Sequence, residues 1–236
     1  MARKPAPRRT AAHAPASLDG ARGAPDDPST LAPVFRGKRV FVGVTGGIAA
    51  YKACHLVSRL AQAGAEVTVA MTEAATRFVT PLTFQALSGR PVYTSAWEHI
   101  ESHDPQHVSL AREATVAIVA PATMDCMAKL ASGRTDDVVT LILSAMDRSK
   151  TPVFLAPSMN DAMWNQPSTQ RNVRQLVDDG FHLIGPGEGW QACRTVGAGR
   201  MTEPSQILEI VTETLRLRSD GRPGAHPRRR SKRRGT

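Results

Sequence analysis

Short runs of β-branched and other apolar residues alternate along the chain with segments in which apolar residues recur at helical spacing. The runs are continuous, which is typical of strands buried on both faces of a parallel sheet. Strands are predicted in this way at 40–44, 66–71, 116–120, 152–156 and 181–184. Helices are predicted at 49–62, 81–87, 124–132, 137–146, 169–179 and 205–217. This alternation predicts an α/β fold with a single, doubly wound parallel sheet.

The clearest pattern is RVFVGVTGGIAAYK at 39–52, where an apolar run ends in two glycines and continues into helix-forming residues. Gly46 and Gly47 allow a sharp turn and a close approach of the backbone to a ligand. Such a turn directs free backbone N–H groups at an anion, and the helix dipole favours a phosphate there. The spacing matches neither GxGxxG nor the P-loop, and an ordinary tight turn would have the same letters. This motif alone therefore does not establish a phosphate site, and further evidence must come from other residues of the chain.

Positive charge is concentrated at the two ends of the 236-residue chain, whose formal net charge is +9. Residues 1–36 carry +3 and residues 216–236 carry +8, whereas residues 37–215 carry −2. A nearly neutral central part does not have the electrostatic footprint of a fold that binds nucleic acid specifically. We expect a disordered basic N-terminal extension at 1–36, a folded domain at 37–217 and a disordered basic C-terminal tail at 218–236.

The three cysteines, Cys54, Cys126 and Cys193, are widely spaced and odd in number. This pattern fits neither a disulfide framework nor a CxxC metal site, so no metal is expected. A reducing cytoplasm is the natural compartment for such a chain. No apolar run approaches the ~20 residues that span a bilayer, and the N-terminus lacks the apolar core of a secretory signal. We therefore expect a cytoplasmic protein without a membrane partner.

Three predicted strands end in residues that packing alone does not require. TGG follows the first, APATMDCMAK occupies 120–129, and APSMNDAMW occupies 156–164. Together with His107 in HVSL and with GWQACRTVGAGRM at 189–201, these motifs resemble the flavin-dependent cysteine decarboxylase family over residues 38–215. The cysteine in the last motif resembles the branch of the family that acts on 4′-phosphopantothenoylcysteine.

The resemblance implies a Rossmann-like or flavodoxin-like flavoprotein domain that binds FMN at the carboxyl edge of the sheet. His107 would be an acid/base residue beside the flavin, and Cys193 a proton donor. The residues implied to contact FMN are Gly46, Gly47, Ile48, Thr72, Thr123, Met124, Asp125, Cys126 and Ser158. The residues implied to hold the substrate are Asn160, Met163, Ala192 and Arg200.

Two residues depart from the family pattern. Asp125 stands where many members have asparagine, and Arg194 stands where a glycine is expected after the cysteine. Three of the remaining candidate site residues also have simpler structural explanations. His107 could be a surface histidine, Asn160 could fix its own turn through a side-chain hydrogen bond, and Cys193 could be a small buried residue.

The implied reaction is FMN-dependent decarboxylation of 4′-phosphopantothenoylcysteine to 4′-phosphopantetheine in coenzyme A biosynthesis. Oxidation of the cysteine CH2–SH to a thioaldehyde provides an electron sink, CO2 leaves to give an ene-thiol, and returned hydride completes the product. The resemblance also implies a homotrimer or a multiple of it, with FMN between subunits, and a separate phosphopantothenate–cysteine ligase chain. Two rival functions remain: oxidative decarboxylation of a peptide's C-terminal cysteine, and a noncatalytic flavin-binding regulator.

Overall fold

The computed structural model describes residues 27–98, 105–190, 192 and 194–219. Its strands are β1 Arg39–Val44, β2 Glu66–Met71, β3 Val92–Tyr93, β4 Val116–Ala122, β5 Val153–Pro157, β6 His182–Leu183, β7 Gly187–Trp190 and β8 Val196–Arg200. Its helices are α1 Pro28–Phe35, α2 Ala50–Gln62, α3 Glu73–Thr76, α4 Pro81–Ser88, α5 Gln106–Glu113, α6 Met124–Ser132, α7 Val138–Ser144, α8 Asp161–Trp164, α9 Pro167–Asp178 and α10 Pro204–Ser219. Within these ranges, no helix combines the length and apolarity needed to cross a bilayer.

Within the described ranges, six strands form one parallel sheet in the order β3-β2-β1-β4-β5-β6. This is the Rossmann order, and it confirms the predicted doubly wound α/β class. The flavodoxin order, in which the third strand lies between the first and the fourth, is not the one observed. The direction of winding reverses between β1 and β4, so the crevice at their carboxyl ends is where this architecture binds ligands.

Two hydrophobic layers cover the sheet, one on each face. The layer on one face joins α1, α2 and α10, and its buried residues include Leu31, Phe35, Leu56, Leu60 and Ile207. The layer on the other face joins α5, α6, α7 and α9, and its buried residues include Ala111, Met127, Leu130, Ile142 and Leu176. The central strands β1, β4 and β5 are buried almost throughout, which explains their continuous apolar sequences.

The expected disorder of residues 1–36 is wrong for residues 28–35, which form α1. Asp27 caps this helix through a 2.8 Å hydrogen bond from the N–H of Ser29 to its carboxylate. Leu31, Val34 and Phe35 are buried, at the spacing of one helical face. Burial of this face in the core overrides the Pro-rich composition. Residues 1–26 and 220–236 lie outside the described residues.

Residues 187–200 form an antiparallel hairpin of β7 and β8, where the apolar pattern of the sequence predicted no strand. Glycines occupy so many of these positions that the hairpin has no alternating apolar pattern. Arg194, in the turn, has a φ of 64°, which is the left-handed conformation that favours glycine. This conformation explains why the family pattern has glycine at this position. Arg194 adopts the same left-handed conformation.

Candidate cofactor and substrate site

A cavity of about 1240 Å³ opens at the carboxyl edge of the sheet, around the crevice between β1 and β4. Small-ligand pockets usually have about 300–1,000 Å³, so this cavity has room for a cofactor and a substrate together. Predicted site residues that line it are Gly46, Gly47, Ile48, Thr72, Thr123, Met124, Asp125, Ser158, Asn160, Met163, Ala192 and Arg200. The structure thus brings together residues that are spread over more than half of the chain.

The turn after β1 presents three backbone N–H donors to the cavity. The N–H groups of Gly46, Ile48 and Ala49 donate to no group in the described part of the chain. A side chain at Gly46 would collide with the Cβ and the backbone of Ala74 in α3. Unpaired N–H groups ahead of α2 form a cradle for an anion such as a phosphate.

Thr45 connects the two strands that flank the crevice, and the sequence did not mark it as a site residue. Its side chain is only 1% exposed. Its hydroxyl donates a 2.6 Å hydrogen bond to the carbonyl of Pro121 and accepts one of 3.1 Å from the N–H of Thr123. Thr123 in turn caps α6 by accepting a hydrogen bond from the N–H of Cys126. A single hydroxyl therefore holds the ends of β1 and β4 in register beside the cradle.

Asn160 and the hairpin form another wall of the cavity. The side-chain oxygen of Asn160 accepts a 2.8 Å hydrogen bond from the N–H of Met163 and so caps α8. Its side-chain N–H2 has no partner among the described residues and is available to a ligand. The N–H of Met159 donates to the carbonyl of Gly199 (2.9 Å), and the N–H of Ala198 donates to Asp161 (3.1 Å). These bonds fix the hairpin against the end of β5.

An acidic cluster with one lysine lies on the opposite side of the crevice. The ammonium of Lys129 is 3.1 Å from the carboxylates of Asp125, Asp136 and Asp137. Burial alone would lower the pKa of Lys129, but its hydrogen bonds to Asp136, Asp137 and Asp125 outweigh burial and raise that pKa above its ordinary value. Three carboxylates around one ammonium give this wall a net negative charge, so it disfavours a phosphate.

A second ionic group lies near the start of α2. The Lys52 ammonium is 2.7 Å from a carboxylate oxygen of Glu203, and its side chain is only 11% exposed. The guanidinium of Arg200 contacts the same oxygen of Glu203. Lys52 and Arg200 both line the cavity. This wall has a net positive charge, in contrast to the wall of Lys129.

Two predicted residues do not line the cavity, and a third is not described by the structure. His107 lies in the first turn of α5, half-buried, and is not among the residues that line the cavity. Cys126 is fully buried in the hydrophobic layer beneath α6, where burial raises the pKa of its thiol, so its side chain does not face the cavity. Cys193 lies outside the described residues, between Ala192 and Arg194 of the hairpin turn.

The fold and the cavity define a Rossmann-type α/β protein with an anion cradle at its crevice, the arrangement of proteins that bind phosphate-bearing cofactors. Comparison with known protein families identifies the family to which the chain belongs. The chain belongs to the Flavoprotein family, whose model matches residues 33–216.

Curated and solved relatives agree with this assignment. The chain is 46% identical over 178 residues to the coenzyme A biosynthesis bifunctional protein CoaBC of Bacillus subtilis (strain 168), covering 75% of this chain and 43% of that protein. It is 32% identical to a PPC decarboxylase mutant solved in complex with pantothenoylaminoethenethiol, with a TM-score of 0.66 and coverage of 78% of this chain and 100% of that one. The FMN binding protein AtHal3 is also 32% identical, with a TM-score of 0.64 and coverage of 81% and 100%. The chain thus spans less than half the length of the curated relative.

Proposed function

We propose that this protein catalyses the FMN-dependent decarboxylation of 4′-phosphopantothenoylcysteine to 4′-phosphopantetheine, a step of coenzyme A biosynthesis in the cytoplasm. The observation that carries the proposal is the single cavity that joins the N–H cradle, the free amide of Asn160 and the motif-bearing hairpin. The names of its relatives support the same reaction. The B. subtilis relative is a coenzyme A biosynthesis protein, and a solved relative is a PPC decarboxylase.

FMN fits the cavity better than a dinucleotide does. The turn after β1 offers one cradle of N–H groups, at Gly46, Ile48 and Ala49, and no dinucleotide fingerprint follows it. The wall of Lys129 is acidic and does not suit a phosphate. When bound, FMN supplies reversible two-electron oxidation and reduction of the substrate's cysteine moiety.

The protein's own residues bind, orient and exchange protons. The amide of Asn160 donates a hydrogen bond to the substrate carboxylate without adding charge, while its oxygen stays occupied at the cap of α8. The hairpin covers the substrate and holds Ala192 against it, and Met163 of α8 contacts the substrate from the same cavity. Cys193 delivers a proton as the ene-thiol is reduced, since a thiol with a reference pKa near 8.5 is acidic enough to do so.

We propose that His107 acts in the cavity of a neighbouring subunit and not in the cavity of its own chain. His107 lies in α5 and is not among the residues that line the cavity of its own chain. A homotrimer, or a multiple of one, that binds FMN between subunits would bring His107 of one subunit to the cavity of the next. This arrangement reconciles the structure with an acid/base role for His107.

Product analysis of the purified protein tests the proposal. We expect a yellow protein that releases FMN on denaturation and converts 4′-phosphopantothenoylcysteine to CO2 and 4′-phosphopantetheine. An ene-thiol product from a peptide ending in cysteine would favour the peptide-modifying alternative. Recovery of FAD, or bound FMN without turnover of either substrate, would contradict the proposal.

The preceding ligation of cysteine to phosphopantothenate is assigned to a separate chain in this proposal. Its test is incubation of the purified protein with phosphopantothenate, cysteine and a nucleoside triphosphate. We expect no 4′-phosphopantothenoylcysteine to form until a ligase is added. Formation without the ligase would show that this protein also performs the first step, as the name of the bifunctional relative suggests for that protein.

A further inference from the structure

We propose that Lys52 and Arg200 form a second phosphate subsite, which binds the 4′-phosphate of the substrate and is separate from the N–H cradle of the cofactor. The inference rests on the proposed function, because that function supplies a substrate with a phosphomonoester. The argument depends on which cations in the cavity have hydrogen-bond donors to spare.

Three cationic side chains line the cavity in the described part of the chain: Lys52, Lys129 and Arg200. Lys129 is saturated, because its three N–H donors face three carboxylates. Lys52 and Arg200 share one acceptor, a single oxygen of Glu203. These two cations therefore have positive charge that the protein does not neutralise.

Lys52 is the less expected of the two, because its side chain is almost buried. An ammonium that is 11% exposed needs partners for its three donors, and one carboxylate oxygen satisfies only one of them. Arg200 likewise uses a single nitrogen on Glu203, which leaves most of its guanidinium N–H groups without a partner among the described residues. Both sets of spare donors adjoin the cavity, where a ligand can reach them.

A phosphomonoester fits these donors by charge and by geometry. It carries about −1.5 to −2 charges at neutral pH and three acceptor oxygens. Lys52 and Arg200 contact the same oxygen of Glu203, so their nitrogen atoms are close enough for one phosphate to bridge them. Glu203 holds both side chains in place before the ligand arrives, which reduces the entropy lost on binding.

The experiment compares the phosphorylated substrate with its dephosphorylated analogue, pantothenoylcysteine. The ratio of kcat/KM for the two compounds is measured for FMN-loaded wild type, Arg200→Gln, Arg200→Lys and Arg216→Gln. Arg216 is an exposed arginine of α10 outside the cavity and serves as the matched control. We expect Arg200→Gln to reduce the preference for the phosphorylated compound by roughly 10- to 100-fold, the loss of one or two charge-assisted hydrogen bonds. Arg200→Lys should keep part of the preference, and Arg216→Gln all of it.

Binding gives a readout that is independent of turnover. Calorimetric titration of each FMN-loaded variant with 4′-phosphopantetheine and with pantetheine should show the same loss of preference. A preference that Arg200→Gln leaves intact overturns the subsite. A second result would also overturn the subsite: Arg200→Gln and Lys52→Gln lose FMN, while the fraction that retains FMN keeps the wild-type preference for the phosphorylated compound. Lys52 and Arg200 would then bind the phosphate of the cofactor.

Failure of the proposed function has a different signature, because wild type would then neither convert nor bind either compound. Whether Lys52 and Arg200 bind a phosphate is then tested by titrating FMN-loaded wild type with inorganic phosphate and observing the ³¹P NMR signal. Exchange broadening that Arg200→Gln abolishes and Arg216→Gln preserves supports the subsite. No broadening in wild type overturns it.

Discussion

At the scale of single residues, the site depends on two positions whose backbone or side chain is constrained. Arg194 adopts a left-handed conformation with a φ of 64°. This conformation costs an L-residue other than glycine about 1–2 kcal/mol, although glycine loses more entropy on folding. The hairpin therefore contains a strained residue at the point where its turn carries Ala192 into the cavity.

We predict that Arg194→Gly stabilises the hairpin by up to about 1 kcal/mol, because glycine removes the steric cost that exceeds its entropy cost. Amide hydrogen exchange of β7 and β8 should slow accordingly. The matched control is Arg216→Gly, which places glycine inside α10 and should destabilise the protein by about 1 kcal/mol. Faster exchange in Arg194→Gly would show that the arginine side chain contributes more than its backbone costs.

Thr45 gives a second prediction, since its buried hydroxyl is the only described side chain that bonds both Pro121 and Thr123. Thr45→Val keeps the shape but leaves the buried carbonyl of Pro121 and the partly buried N–H of Thr123 without their partner. We expect a loss of about 1–3 kcal/mol in the free energy of unfolding, with weaker FMN binding because the end of β4 shifts.

Urea unfolding and titration of the apoprotein with FMN, followed by flavin fluorescence, measure the two effects. Thr45→Ser should restore both, because it keeps the hydroxyl. Thr214→Val, which removes an exposed hydroxyl from α10, is the control and should change neither. Unaltered FMN affinity in Thr45→Val would limit Thr45 to a role in stability.

At the scale of elements, the long strands and helices could be predicted from the sequence, because buried parallel strands and amphipathic helices have strong periodicity. The strand at 66–71 and the helix at 124–132 match the structure at both ends. The signal for α1 was also present, as Asp27 at the cap, Pro28 at the first position and a buried face at 31, 34 and 35. Proline-rich surroundings concealed it.

Other elements carry too little local signal to be predicted. The helices α3 and α8 are single turns that exist because Thr72 and Asn160 cap them, and a one-turn helix has no periodicity. The hairpin is stabilised by contacts with residues 159 and 161, which are distant in sequence. The motif residues of the site could be named because their motifs resemble those of a known family, and they meet in the structure because their strand ends converge. The hydroxyl of Thr45 could not, because nothing in its neighbours marks what it bonds.

The ion pair between Lys52 of α2 and Glu203, which directly precedes α10, gives a prediction for pH. Hydrogen bonding from Lys52 lowers the pKa of Glu203 below its ordinary value of 4.5. A lowered folded-state pKa means that the stabilisation is fully present above about pH 4.5 and is lost as the pH falls through the folded pKa. Glu203 is partly exposed, so the effect should be small, at most about 1 kcal/mol.

Urea unfolding of wild type and Glu203→Gln between pH 7 and pH 3 measures this contribution. The variant should be less stable than wild type at pH 7, and the difference should shrink in the acid range. Glu209→Gln is the control, because Glu209 is exposed on α10, which begins directly after Glu203, and has no ion pair among the described residues. A difference that persists at pH 3 would mean that packing, rather than charge, distinguishes the two side chains.

At the scale of the whole molecule, the position of His107 makes the assembly testable. If His107 of one subunit serves the cavity of the next, each active site needs residues from two chains. His107→Asn and Asn160→Ala should each be inactive alone. When they are unfolded together and refolded as a mixture, about one quarter of the interfaces in a cyclic oligomer should pair the two intact residues.

The expected result is recovery of about one quarter of the wild-type activity in the mixture, measured as CO2 release. Refolding each variant alone is the control and should recover none. An inactive mixture, at a flavin content equal to that of wild type, would place His107 and Asn160 in the same subunit's site or remove His107 from the mechanism.

The packing of α1 against α2 and α10 also has a consequence for synthesis of the protein. As the chain leaves the ribosome, α1 can meet α2 early, because they are close in sequence. Its other partner, α10, follows only after residues 36–203 have been made. Until then the apolar face of α1 and α2, with Phe35 and Leu60, has no cover on that side. This layer of the nascent chain therefore stays open to chaperones and to aggregation until α10 has been made.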